Sequence, residues 1–205
     1  MAEQLPQNFV IPQEPTIATY SYTDIADGTG VVKLYGCQTD TRTASGARLS
    51  SIQTFTSRAY ITGAAAPQFK DFDLSPFNTP RTAKGTAIVE AGLLINGAAS
   101  CAVWFDIKKV DVSGTPTTIV SAEAISEDTS AGVPEYHNLV VPLTIPKTDF
   151  KVGESLRLTA RLYSAGAFGL LGTDPKGELW SGETSTIATP ACSQLILNMP
   201  FKLQL

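Results

Sequence analysis

Along most of the chain apolar and polar side chains alternate with a period of two, the pattern of strands that bury one face. In residues 154–164, ESLRLTARLYS, Leu156, Leu158, Ala160 and Leu162 fall on one side, and Arg157, Thr159, Arg161 and Tyr163 on the other. Residues 101–110, CAVWFDIKKV, set Cys101, Val103, Phe105 and Ile107 against Trp104, Asp106 and Lys108. A Ser-Gly-Thr-Pro turn separates them from 117–125, TTIVSAEAI, so the two segments predict a hairpin. Residues 31–36, 53–61 and 86–95 predict further strands between Gly, Ser, Thr and Pro breaks. Residues 139–145, LVVPLTI, hold Pro142, which has no amide to donate and suits an edge strand or a bulge. The ending 193–205 predicts a terminal strand pair broken at Pro200. No window keeps a 3.6-residue period over helical length, so short helical turns at 73–79 or 121–128 are the most that is expected.

About eight to ten strands spaced by turn signals predict an all-β fold, a two-sheet antiparallel sandwich of jelly-roll type. We assign it to residues 20–205. Residues 1–19 space Pro6, Pro12 and Pro15 among polar residues, which excludes helix and favours an extended N-terminal arm or a disordered tail. The apolar island Phe9-Val10-Ile11 tips the reading toward an arm that docks on a partner. Neither an internal repeat nor the short fixed period of a β-helix is present.

Composition narrows the partners. Charged residues make up 17% of the chain, against roughly 25% in soluble globular proteins. Net charge is −4, and Lys108-Lys109 is the only adjacent basic pair, so the clustered basic face that phosphate backbones require is missing and nucleic acid is not expected. No run approaches the roughly 18 apolar residues of a spanning helix, and no membrane partner is expected. Cys37, Cys101 and Cys192 fit neither a CxxC metal site nor an even disulfide framework. The N-terminus lacks the basic and apolar regions of a signal peptide. The expectation is a reducing cytoplasm, or export without a cleaved signal.

Candidate chemistry is thin. The loop AGAFGLLGTDPKG, residues 165–177, ends strand 154–163, but its Lys176 comes too late for a phosphate-binding loop and no helix follows. Its Asp-Pro-Lys-Gly is turn chemistry, and Phe168, Leu170 and Leu171 are either folded back on the sandwich or buried by a neighbouring subunit. His137, the one histidine, sits before a predicted strand and reads as a surface residue rather than a catalytic base. Asp71 with Asp73, Asp106 with Asp111, and Glu123 with Glu127 and Asp128 are the carboxylate groupings a glycosidase would have to draw on. Trp104 and Trp180 are the candidates for a sugar-stacking platform. No catalytic, cofactor-binding or metal-ligating set emerges, and a chain that is not an enzyme, without cofactor or metal, is expected.

Five segments, YSYTDIADGTGVVKLYG at 20–36, FDLSPFNTPRTAKG at 72–85, IPKTDFKVGESLRL at 145–158, GTDPK at 172–176 and MPFKLQL at 199–205, resemble virion structural proteins of tailed bacteriophages. They cover about a third of the chain, in the same order, and supply no active-site residues. The resemblance implies a β-sandwich capsid decoration or cement protein, assembled in the host cytoplasm and located on the virion. Its partners would be the major capsid protein or other virion proteins and its own copies, a trimer being favoured. The interface expected for that role is Phe9, Val10, Ile11, Phe168, Leu170 and Leu171. The alternative is a tail or fibre component with a carbohydrate-binding sandwich.

Overall fold

A computed structural model of the chain describes residues 29–38, 47–52, 59–62, 68–96, 99–128, 135–166, 176–181 and 195–202. Every regular element among the described residues is a strand: β1 (Thr29–Gln38), β2 (Ala47–Ser50), β3 (Ala59–Thr62), β4 (Gln68–Asp73), β5 (Arg81–Asn96), β6 (Ala99–Val110), β7 (Pro116–Asp128), β8 (Glu135–Phe150), β9 (Ser155–Gly166), β10 (Lys176–Ser181) and β11 (Ile196–Lys202). Hydrogen bonding joins them in the order β3-β10-β5-β11-β1-β2-β4-β9-β6-β7, with β8 also on β5. The pairings are antiparallel except β2 with β4, which meet in one parallel pair, Arg48 with Asp73. The sheet curls until β7 packs beside β8, so the all-β expectation holds as a single mixed sheet brought nearly to closure.

The alternation read from the sequence is largely the alternation of burial, broken on the polar side by Thr159 and Asp106, which are buried as well. On β9, Leu156, Leu158, Ala160 and Leu162 are fully buried, and on β6 so are Val103, Phe105 and Ile107. They meet Ala87, Val89, Ala91 and Leu93 of β5, Leu139, Leu143 and Ile145 of β8, and Leu197 and Met199 of β11 in one core. Full burial of a Leu, Ile or Phe side chain contributes roughly 1.5–3 kcal/mol, so this interior is what holds the strands together. One end is closed by an aromatic trio, Phe77, Phe150 and Phe201, with centroids 5.1 to 6.3 Å apart, within the range of favourable tilted packing.

Turn chemistry sets the hairpins. Between β6 and β7, Asp111 Oδ1 accepts the amides of Ser113 at 2.9 Å and Thr115 at 2.8 Å, while Gly114 takes φ 87°, a combination that a short polar side chain and a glycine make cheap. These hydrogen bonds hold the Asp111 carboxyl below its usual range, the Ser113 hydroxyl first among them.

Several expectations change. Residues 121–128 continue β7 and 74–80 carry no helix, so the expected helical turns are absent. In place of a terminal strand pair there is one strand, β11, running through Pro200. Pro200 is tolerated because the ladder to β5 is interrupted between Asn198 and Phe201, where a missing amide is harmless. β5 begins at Arg81 rather than Thr86: Gly85, a strand breaker in the sequence, sits in a register shift at φ 125° and the strand continues through it. Pro142 falls on β8, which pairs only with β5 among the described residues, as its edge preference predicts. His137 lies within β8 rather than before it, opposite Leu93.

Candidate functional site

The outward side chains of β4, β9 and β6 form three cross-strand rows. In β4–β9 pairing, Phe69 faces Arg161, Asp71 faces Thr159 and Asp73 faces Arg157. In β9–β6 pairing, Arg161 faces Trp104, Thr159 faces Asp106 and Arg157 faces Lys108. Residues directly opposite on one face have Cβ atoms about 5 Å apart, so each row is a line of contacts: Phe69-Arg161-Trp104, Asp71-Thr159-Asp106 and Asp73-Arg157-Lys108.

Hydrogen bonds fix these rows. Arg157 donates from Nε to Asp73 Oδ1 at 2.6 Å, from Nη2 to Asp73 Oδ2 at 2.9 Å, and from Nη1 to Asp71 Oδ2 at 3.0 Å. Thr159 Oγ1 donates to Asp71 Oδ1 at 2.6 Å. A planar guanidinium is suited to such a fork, and the Asp73 hydrogen bonds hold the Arg157 pKa above its ordinary value. Arg161 Nη2 donates to Asp106 Oδ1 at 2.8 Å, which also accepts from Ser121 Oγ of β7. The guanidinium lies 5.7 Å from the Trp104 ring centroid. Its Nε is covered and has no hydrogen-bond partner. Asp106 is 5% exposed, and the cations Arg161 and Lys108, at 2.8 and 3.7 Å, compensate its burial.

The carboxylate groupings expected from sequence are redistributed. Asp71 and Asp73 do share a face, but Arg157 bridges them. Asp106 lies on the sheet and Asp111 in a turn, so they form no pair. Glu123 pairs with Trp104 across β6 and β7. Among the described residues no three His, Cys, Asp or Glu side chains gather as a metal site. Trp104 takes the polar face as predicted, while Trp180 belongs to β10, which shares no ladder with β6. Sequence reasoning missed Phe69, which is 68% exposed and stands in the Trp104 row. Phe9, Val10, Ile11, Phe168, Leu170 and Leu171, the predicted partner interface, lie outside the described residues.

No family model and no curated protein matches the chain in sequence. Solved structures do resemble it. A CocE/NonD family hydrolase from Staphylococcus aureus matches at TM-score 0.56 and 12% identity, over 84% of this chain and 37% of the hydrolase. An aminopeptidase from a Thaumarchaeota archaeon of marine sediment matches at TM-score 0.55 and 9% identity, over 86% of this chain and 37% of the other. A protein of infectious bursal disease virus Gx strain is matched at TM-score 0.29 and 9% identity, over 86% of this chain and 43% of the viral one. The chain thus spans about 37% of the hydrolases whose fold it shares. The expectation that it is not an enzyme is contradicted by this likeness, because the two structures named at TM-scores above 0.5 are a CocE/NonD family hydrolase and an aminopeptidase. What the described strands share with those hydrolases is an all-β fold, at identities that speak of architecture alone.

Proposed function

We propose that the chain is a jelly-roll β-sandwich and a virion structural protein, a decoration or cement component that binds the phage head lattice as an oligomer. Its strands divide into one group around β5 and another around β9, linked through the single Arg48–Asp73 pair, which favours the sandwich description. The observation that carries the docking role is an apolar patch on the outer face of β5 and β8. Val140 is 67% exposed and Ile88 37%; Ile88 pairs with Pro142, two residues along from Val140, whose own partner on β5 is Glu90. Exposed apolar groups in a patch mark interaction surfaces, and lattice symmetry repeats a small contact many times. The N-terminal arm with Phe9, Val10 and Ile11 supplies a second contact in this reading.

Co-sedimentation with empty capsids tests it. The full chain is expected to pellet with capsids, while Val140→Glu and deletion of residues 2–15 each lose binding. Binding of both variants at the level of the full chain rejects the docking role. A second reading, favoured by the hydrolase likeness, is a β module that completes a hydrolase. Release of p-nitrophenol from acyl esters by the purified chain, or on mixing it with particle extracts, would support that reading.

A further inference from the structure

We infer that the outer face of β4, β9 and β6 is a binding platform for a neutral oligosaccharide, with exposed Phe69 as its stacking surface, half-buried Trp104 with Arg161 over its ring as a second aromatic wall, and Arg161, Asp71 and Asp73 as its hydrogen-bonding groups. Phe69 and Trp104 both pair with Arg161, from opposite sides. They therefore stand two strands apart, about 10 Å, a distance on the scale of a disaccharide. Phe69 is 68% exposed, although an aromatic ring on an isolated sheet face gains nothing from water.

Between the rings the surface is polar, and its geometry is already set. Asp71 and Asp73 are held by Arg157 and Thr159, yet their side chains remain 30% and 45% exposed. Arg161 is 39% exposed in its side chain, although its Nε is covered, so only the outer part of the guanidinium is open to a ligand. Sugar hydroxyls donate and accept together, and adjacent carboxylates and guanidinium serve both needs without reorganising. Asp106 is a positioning residue, holding Arg161 against Trp104.

Charge selects among possible occupants. Asp71, Asp73 and Asp106 are matched on the same face by Arg157, Arg161 and Lys108, and Glu123 opposite Trp104 adds one negative charge, so the platform repels a polyanion and offers a polycation a single unmatched carboxylate. The apolar area is confined to two separated rings, unlike the continuous apolar centre of a protein interface. A neutral glycan meets both conditions. The site does not depend on the head-docking proposal and works equally on a tail or fibre.

The full chain would be tested on immobilised neutral hexose and N-acetylhexosamine oligosaccharides, with heparin and dextran sulfate as polyanion controls. Binding to the neutral set is expected, weakened about tenfold or more by Phe69→Ala and by Trp104→Ala, as loss of an aromatic stacking surface implies. Because Phe69 is exposed, Phe69→Ala should keep the unfolding transition of the parent and decides the matter if Trp104→Ala fails to fold. Capsid co-sedimentation by Phe69→Ala should be unchanged, which separates the two sites. Absence of binding to every neutral glycan, preference for the polyanions, or parental affinity in Phe69→Ala would each overturn the inference.

Discussion

Lys109 Nζ lies 2.7 Å from Glu154 Oε2, tying β6 to the turn between β8 and β9. Glu154 is 8% exposed and also accepts the Lys151 amide at 2.6 Å, while Lys109 donates to the Asp149 carbonyl at 2.8 Å. One carboxylate and one ammonium therefore fasten two chain segments at the same end of the molecule. Removing the charge with Glu154→Gln should lower stability by about 2 kcal/mol, the scale of a hydrogen bond to a charged group, as read from urea unfolding at pH 7.

The same carboxylate makes stability pH-dependent. The Lys109 hydrogen bond, then the Lys151 amide, holds Glu154 below its ordinary pKa. A depressed folded-state pKa contributes stability that is present above the unfolded value, about 4.3, and lost as pH falls through the folded value. Titrating the unfolding midpoint from pH 6 toward acid should show a decline below about pH 4.3 that is shallower in Glu154→Gln. Parallel curves would remove Glu154 as the cause.

Arg157→Lys keeps the charge on β9 but cannot fork across Asp71 and Asp73. Asp73 is 45% exposed, so solvent discounts the loss, and about 1 kcal/mol is expected. A double-mutant cycle with Asp73→Asn should return a positive coupling; additivity would mean that the fork contributes nothing measurable to stability.

Two turn glycines separate backbone strain from crowding. Gly114 has φ 87° with open space where a Cβ would go, whereas at φ 84° a Cβ on Gly153 would meet Val112 Cγ1 at 2.9 Å. Gly114→Ala should cost about 1 kcal/mol from the left-handed conformation alone. Gly153→Ala should cost more, and Val112→Ala should restore part of the difference in thermal unfolding.

In the aromatic trio, Phe150→Ala should cost about 3–5 kcal/mol. Because Phe150 meets both Phe77 and Phe201, hydrogen exchange should quicken in β11 as well as β8. Exchange that changes only in β8 would show that the ring does not couple the two strands.

The strands with strong contrast between faces were legible in the sequence. In 101–110 and 154–163 the apolar positions carry mainly Val, Phe, Ile and Leu and the others mainly charged or polar groups, so a period of two favours one burial pattern. The site was only half legible, for a reason of distance. Trp104 announced its face, but Arg157 and its acids are 84 and 86 positions apart, and only strand pairing gives their register. Phe69 was invisible for the same reason. Asp106 and Asp111 misled in the other direction, since closeness in sequence does not put a strand residue and a turn residue together. The absence of any catalytic signature led to the expectation of a chain without enzymatic activity, and a likeness of fold to hydrolases is not legible in a sequence only 9–12% identical to theirs.

The single parallel pair between Arg48 and Asp73 has a mechanical meaning. On either side of it the strands are cross-linked by antiparallel ladders, the longest being β5 with β8 and β6 with β9. At that junction the backbone offers one pair, and opposite it β7 and β8 touch without a ladder among the described residues. Across the junction, membership of one buried core, Leu49 on β2 and Phe72 on β4 included, joins the two sides more than backbone hydrogen bonds do. Within the ladder order, the backbone is thus joined least firmly at this one junction.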